Sequence, residues 1–244
     1  MERKSFLKSL LVGTVAAPAI LSACSKEDSV TPASAADATD AKATTSKGTP
    51  SSCAVSPSET EGPFPTHVPA SYVRQDITDG RTGYAFTINI SIVSAAASCA
   101  ALSGALVDIW HCDREGNYSE YGGTQMQSTN YTSVHFLRGR QVTNSAGKVT
   151  FTSIFPGWYS GRATHIHVHV YSASGQSLLV TQISFPETTG SAIFQVNGYA
   201  KGMTGYTYNA ADNVFSDDST NSEVATVTGS TSAGFVLSKK ITVA

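Results

Sequence analysis

Three histidines alternate with aliphatic residues in the stretch GWYSGRATHIHVHV, which runs from Gly157 to Val170. In an extended strand, residues two apart point the same way, with Cα atoms roughly 6.5–7 Å apart. His165 and His167 therefore share a face and can both reach one metal ion. The competing reading is a strand with polar residues at alternate positions and no metal. His169 continues the alternation but lies too far along to join the same ion easily, which leaves it a supporting or exposed position. Tyr159, just before this strand, adds weight to a metal. A phenol ordinarily keeps its proton, with a pKa of about 10, but a bound cation inverts that logic and holds it as phenolate. Hard oxygen anions together with imidazole suit iron(III) better than zinc or a soft metal. A second phenol is available in WHCDREGNYSEY (Trp110–Tyr121), where Tyr118 follows a Gly-Asn turn and Tyr121 is the competing choice. Either can equally be a packing aromatic. Cys112, next to His111, reads as a small buried residue rather than a further ligand.

Residues so spaced need strands and turns to hold them. AFTINISIVS (Ala85–Ser94) alternates apolar and polar residues, the period of a half-buried strand. Ala105–Cys112, Gly147–Ile154, Thr164–Ser172, Ser177–Phe185 and the closing GFVLSKKITVA have the same character, with Gly, Asn and Ser clusters between them. No amphipathic helix of four turns is present after the N-terminal region. The pattern predicts an all-β chain, an antiparallel β-sandwich with long loops. The Ser/Thr/Asn-rich segment from Gly190 to Gly229 reads as such loops. Of 244 residues, 41% are hydrophobic, enough for a sizeable core. Only 14% are charged and the net charge is −2, so no basic field exists to attract nucleic acid.

The N-terminal region has a different logic. MERKSFLK is a basic start, SLLVGTVAAPAILSA is apolar but short for a membrane span, and LSAC (Leu21–Cys24) resembles a lipobox. An ordinary signal peptide with an incidental cysteine is the plainer alternative. RKSFLK resembles a twin-arginine signal with one arginine replaced by lysine, and SKED (Ser25–Asp28) resembles a surface-export tag. Residues 1–23 are thus expected to be a lipoprotein-type signal peptide. Residues 24–52 are expected to carry a lipid on Cys24 and form a flexible tether, and 53–244 to form one domain. The expected product is an exported bacterial lipoprotein, held to a membrane by its lipid, in the periplasm or at the outer membrane or cell surface. An oxidising compartment favours a disulfide. Cys53 opens the domain and Cys99 follows the first long strand, which makes them the expected pair; closing that loop contributes about 4 kcal/mol in the chain-entropy model.

Four segments in order resemble the intradiol ring-cleavage dioxygenases, the family of catechol 1,2-dioxygenases and protocatechuate 3,4-dioxygenases. TEGPF (Thr60–Phe64) is similar to that family's substrate-pocket motif. VDIWHCDREGNY (Val107–Tyr118) is similar to the stretch ending in its first tyrosine ligand. FPGWYSGRATHIHV (Phe155–Val168) is similar to the stretch with the second tyrosine, an arginine and the H-I-H pair, and LLVTQISF (Leu178–Phe185) places Gln182 at an active-site glutamine. FLRGRQVTNSAGKVTF (Phe136–Phe151) resembles short secreted members. The resemblance implies a mononuclear non-haem Fe(III) held by Tyr118, Tyr159, His165 and His167. It also implies catalytic roles for Tyr159, Arg162 and Gln182, and a pocket containing Thr60, Gly62 and Pro63. The substrates implied are dioxygen and a catechol or larger polyphenol, cleaved between its hydroxylated carbons to a muconate-type diacid. Two departures matter. The loop between Tyr159 and His165 is shorter than in the cytoplasmic enzymes, and the long helical segment at the start of catechol 1,2-dioxygenases is not matched here, so the resemblance implies no dimer mode and leaves the oligomeric state open. No residue matches a site for a ring carboxylate. The alternatives are a non-catalytic β-sandwich lipoprotein that binds an aromatic ligand and a zinc-dependent hydrolase using the same histidines.

Overall fold

The structure, a computed structural model, describes residues 53–244. The expected signal peptide, Cys24 and the tether to residue 52 lie outside the described residues. Nine strands are formed within them: β1 (Ala85–Ser94), β2 (Ala100–Ala101), β3 (Leu106–Trp110), β4 (Arg138–Val142), β5 (Lys148–Ile154), β6 (His165–Tyr171), β7 (Ser177–Ser184), β8 (Thr226–Ser230) and β9 (Gly234–Val243). They make two sheets. In one, β1 pairs antiparallel with β2 and β5 and parallel with β9, whose other edge pairs with β8. In the other, the order β4-β3-β6-β7 is antiparallel throughout.

The chain is an all-β sandwich, and alternation decides what fills it. Ile88, Ile90 and Ile92 of β1 and Leu237 and Ile241 of β9 pack with Val107 and Ile109 of β3 and Ile166, Val168 and Val170 of β6 in one buried cluster. Burying each such side chain stabilises by about 1.5–3 kcal/mol. Cys53 and Cys99 are joined by a disulfide, Cα atoms 5.3 Å apart, tying the start of the domain to the turn after β1.

The second sheet has an unusual outer face. Its register aligns Arg138, Trp110, His167 and Gln182 across the four strands, with Arg140, Asp108 and His169 in the next row. In a sandwich with ordinary polar alternation this face would meet water. Here loops roof it, and His165, His167, Trp110, Arg138 and Gln182 are all buried.

Three short strands depart from the sequence pattern. β4, RGRQV, has arginines on the roofed face and Gly139 on the core side, where a Cβ would stand 2.4 Å from Ile77 Cγ2. Periodicity cannot reveal a strand whose inward residue is a glycine. β2 is two residues long, and β8 carries Gly229. The β1–β9 pairing is parallel rather than antiparallel, as the long connection through the second sheet between the two strands permits. The segment read as loops from Gly190 onward contains a short helix, α1 (Ala192–Val196), which buries Ala192, Ile193 and Val196 against the core.

Candidate active site

The functional side chains lie on the roofed face, and each is fixed by a separate element. β6 delivers the histidines: His165 Nε2 and His167 Nε2 are 3.1 Å apart. His165 Nδ1 donates to the Ala163 carbonyl at 2.6 Å, so its Nε2 presents a lone pair to the same point. The Tyr118 hydroxyl stands 3.2 Å from His165 Nε2. Trp110 stacks flat on His167, rings 4.9 Å apart and 3° from parallel, and Phe64 stacks on Tyr118 at 4.6 Å.

Tyr118 and Tyr121 separate cleanly. The Tyr121 hydroxyl donates to the Pro65 carbonyl at 2.6 Å, which commits it to holding a loop, whereas the Tyr118 hydroxyl faces the imidazoles. Gln127 braces Tyr118 much as a neighbouring strand would. Its Oε1 accepts from the Tyr118 amide at 2.6 Å and its Nε2 donates to the Tyr118 carbonyl at 2.8 Å. Tyr159 completes the group from the turn before β6, its ring 5.6 Å from His165 and 5.8 Å from Tyr118. Lys201 secures that turn, with Nζ 3.8 Å from the centre of the Trp158 ring and donating to the Trp158 carbonyl.

Tyr159 and Arg162 line a cavity of about 620 Å³ together with Thr60, Gly62, Pro63 and Met126. Gly62 has φ +69°, and a Cβ there would come within 2.9 Å of His167 Cε1, so the pocket loop can rest on the imidazole only with glycine at that position. Arg162 is nearly buried. Its Nε donates to Asp212 Oδ2 at 2.9 Å and its Nη2 to Gln182 Oε1 at 2.7 Å, while Gln182 Nε2 donates to the Thr60 carbonyl at 2.9 Å.

Burial sets the protonation of this group. It pushes His165 down to about 3, with Arg162 adding to the effect, and pushes His167 well below its ordinary value, with His165 adding to it. Both imidazoles are therefore neutral and able to bind a metal. Burial raises Tyr118 well above its ordinary value and also raises Tyr159, where Arg162 works in the opposite sense. Neither phenol ionises unaided, so holding either as phenolate takes a cation beside its hydroxyl. Two neutral imidazoles and a phenol already converging within 3.2 Å fit a hard, highly charged metal ion. A cluster of three or more His, Cys, Asp and Glu placed to hold a metal does not occur among the described residues.

The remaining candidates have structural partners. His111 bonds the Cys112 carbonyl and Ser153 Oγ, each at 2.8 Å. Cys112 is a buried free thiol, raised by burial far above its ordinary value. His169 bonds Ser177 Oγ and the Tyr171 hydroxyl, with Glu61 3.0 Å away. His67 and His135 both flank the Glu120 carboxylate. Three residues that the motifs do not mark prove central. Arg138, fully buried, donates to the carbonyls of Phe64 and Ser119 and so pins the roof to β4. Gln127 and Asp212 are the others, both in loops where composition alone gives no signal.

The model of a family described as dioxygenase matches residues 64–195. Chlorocatechol 1,2-dioxygenase of Rhodococcus opacus is 31% identical over 103 residues, 34% of this chain and 37% of that enzyme, so the match spans little more than a third of that relative. An intradiol ring-cleavage dioxygenase from Tetranychus urticae superposes with a TM-score of 0.68 at 28% identity, covering 78% of this chain and 95% of that one. The dioxygenase domain of a dioxygenase carbohydrate-binding protein fusion from Streptomyces sp. SirexAA-E superposes with a TM-score of 0.55 at 25% identity, covering 77% and 97%.

Proposed function

The chain belongs to the intradiol ring-cleavage dioxygenase family, and from that premise we propose that it cleaves catechol-type rings between the two hydroxylated carbons, giving muconate-type diacids. The observation that carries the proposal is that Tyr118 Oη and His167 Nε2 both stand within 3.2 Å of His165 Nε2, next to Tyr159 and a cavity. Tyr118, Tyr159, His165 and His167 would hold a mononuclear non-haem iron(III). When bound, that iron supplies the Lewis acidity and redox chemistry that bring diol and dioxygen together. The chain's own residues do the rest. Tyr159 lines the cavity and, where the iron holds it as phenolate, would take up a proton from the entering diol on its Oη. Arg162, kept charged by its buried carboxylate partner, stabilises negative charge developing on the ring. Gln182 links Arg162 to Thr60 and so fixes the pocket wall.

Arg162 is the cationic side chain in the cavity lining, and Asp212 and Gln182 hold its Nε and Nη2. Met126, 65% exposed at the rim, gives a soft apolar contact for a substituent. Catechols and larger polyphenols fit this lining. Purified protein loaded with iron should be red-brown, consume oxygen with catechol and release a product absorbing like a muconate. A colourless protein that takes up no iron and consumes no oxygen overturns the proposal.

Export and a lipid on Cys24 complete the proposal, supported by the LSAC motif. Cys24→Ala should move the protein from the membrane to the soluble fraction; an unchanged distribution rejects the anchor.

A further inference from the structure

We propose that Asp212 is a positioning residue that sets the orientation of both Arg162 and His165. The inference rests on the function proposed above and adds a residue outside the matched 64–195 segment.

The Asp212 side chain is fully buried and all its hydrogen bonds are directed. Oδ1 accepts from the amides of Val214 and Phe215 at 2.8 and 3.3 Å, which ties the carboxylate to its own loop. Oδ2 accepts from Arg162 Nε at 2.9 Å and from the Ala163 amide at 2.6 Å. Ala163 then passes the constraint on, because its carbonyl receives the proton of His165 Nδ1. One carboxylate thus fixes the guanidinium at the cavity wall and the residue that selects the tautomer of His165. Such partners behind a ligand tune both metal affinity and reactivity. Burial alone would raise the Asp212 carboxyl, but Arg162 and the Ala163 and Val214 amides hold it below its ordinary value, so it stays ionised opposite Arg162.

Asparagine is nearly isosteric but lacks the charge and has one acceptor oxygen in place of two, so it cannot serve both sets of donors. Asp212→Asn should lower kcat per bound iron about 10- to 100-fold, leaving KM for catechol near the wild-type value because Asp212 does not line the cavity. In an Arg162→Leu background the same substitution should add little further loss of kcat at saturating iron. It should still weaken Fe(III) binding, read by titration of the metal alone, through Ala163 and His165. Full additivity of the two kcat losses, or unchanged kcat in Asp212→Asn, overturns the link to Arg162; unchanged iron affinity overturns the link to His165. Wild-type protein gives a test that needs no variant. In the metal-free state the Arg162 Nε–H should exchange slowly with solvent by ¹⁵N NMR, and rapid exchange rejects the clamp. Absence of oxygen uptake by wild-type protein with catechol would instead reject the proposed function, since the exchange and titration readouts do not depend on turnover.

Discussion

β1 and β6 are both interior strands of their sheets, both alternate strictly, and both send three aliphatic side chains into the same core: Ile88, Ile90 and Ile92 from one, Ile166, Val168 and Val170 from the other. They differ on their second face. Thr87, Asn89 and Ser91 of β1 are partly exposed, as an outer sheet face normally is, while His165, His167 and His169 of β6 are buried beneath loops. Hydration makes the difference chemical. A polar group that keeps water needs no other partner, whereas one stripped of water must find a hydrogen bond or a metal. On β6, Ser177 and Tyr171 satisfy His169, and Ala163 satisfies one nitrogen of His165. The two Nε2 atoms of His165 and His167 are left facing each other. Roofing a sheet face with loops is thus what turns a polar alternation into the donor set of the proposed metal site.

The largest test of that contrast is removal of one imidazole. His165→Ala or His167→Ala should abolish iron binding and turnover together, seen as loss of colour and of oxygen uptake. Asn89→Ala, at the corresponding kind of position on β1, should cost only about 0.5–1.5 kcal/mol, the hydrogen bond that its Oδ1 accepts from Thr150. Iron retained at full occupancy in either histidine variant removes that residue from the ligand set.

Much of this contrast is legible in the sequence, though unevenly. β1 and β6 can be read because their inward residues are β-branched and their spacing is strict. The site residues close to β6 can be read for the same reason, since Tyr159, Arg162, His165 and His167 lie within nine positions. The roof cannot. Arg138 faces it from a strand whose core residue is Gly139, and Gln127 and Asp212 reach the site from polar loops, 9 and 50 positions from the residues they brace. Composition carries no trace of such long-range hydrogen bonds. Residue type and spacing alone leave Tyr118 and Tyr121 equivalent; the motif resemblance singles out Tyr118, and the structure separates them by the Pro65 carbonyl for Tyr121 and His165 for Tyr118.

A second test leaves the ligands in place. Arg162→Leu should keep iron and colour but lower kcat on the order of 10²–10³-fold, the usual cost of removing a preorganised charge-stabilising group. Unchanged turnover would leave Arg162 a structural residue only. The two faces should also respond differently to changes in volume. Ile90→Ala, in the shared core, should cost about 2–5 kcal/mol of stability in denaturant melts, with iron stoichiometry unaltered in the folded fraction. Gly62→Ala should cost less in stability, about 1 kcal/mol from its positive φ, yet disturb iron affinity, because its new methyl group meets His167. Iron binding unaffected by Gly62→Ala would show that the roof does not bear on the imidazole.

The effect furthest from the chemistry concerns a carboxyl group outside the site that obeys the same rule about lost water. Glu223 is buried and neither carboxylate oxygen has a hydrogen-bond partner. Burial, with Glu59, Asp218 and Asp217 adding to it and Lys239 opposing, raises its pKa to about 8. The folded chain therefore keeps a proton on Glu223 that the unfolded chain has already released, and stability must fall as pH rises from its unfolded value through 8. Below about 6.5 the buried histidines work in the opposite direction, since unfolding lets them take up protons that the fold denies them. Lys239, lowered to about 8, likewise makes stability rise with pH around that value. These opposing groups overlap the range in which Glu223 acts, so its share is the difference between two curves. Relative to metal-free Glu223→Gln, metal-free wild-type protein should lose stability between pH 6.5 and 8 with a slope of up to about 1.4 kcal/mol per pH unit. Parallel wild-type and Glu223→Gln curves between pH 6.5 and 8 would mean that Glu223 is already ionised in the folded chain, with some partner supplying what burial removes.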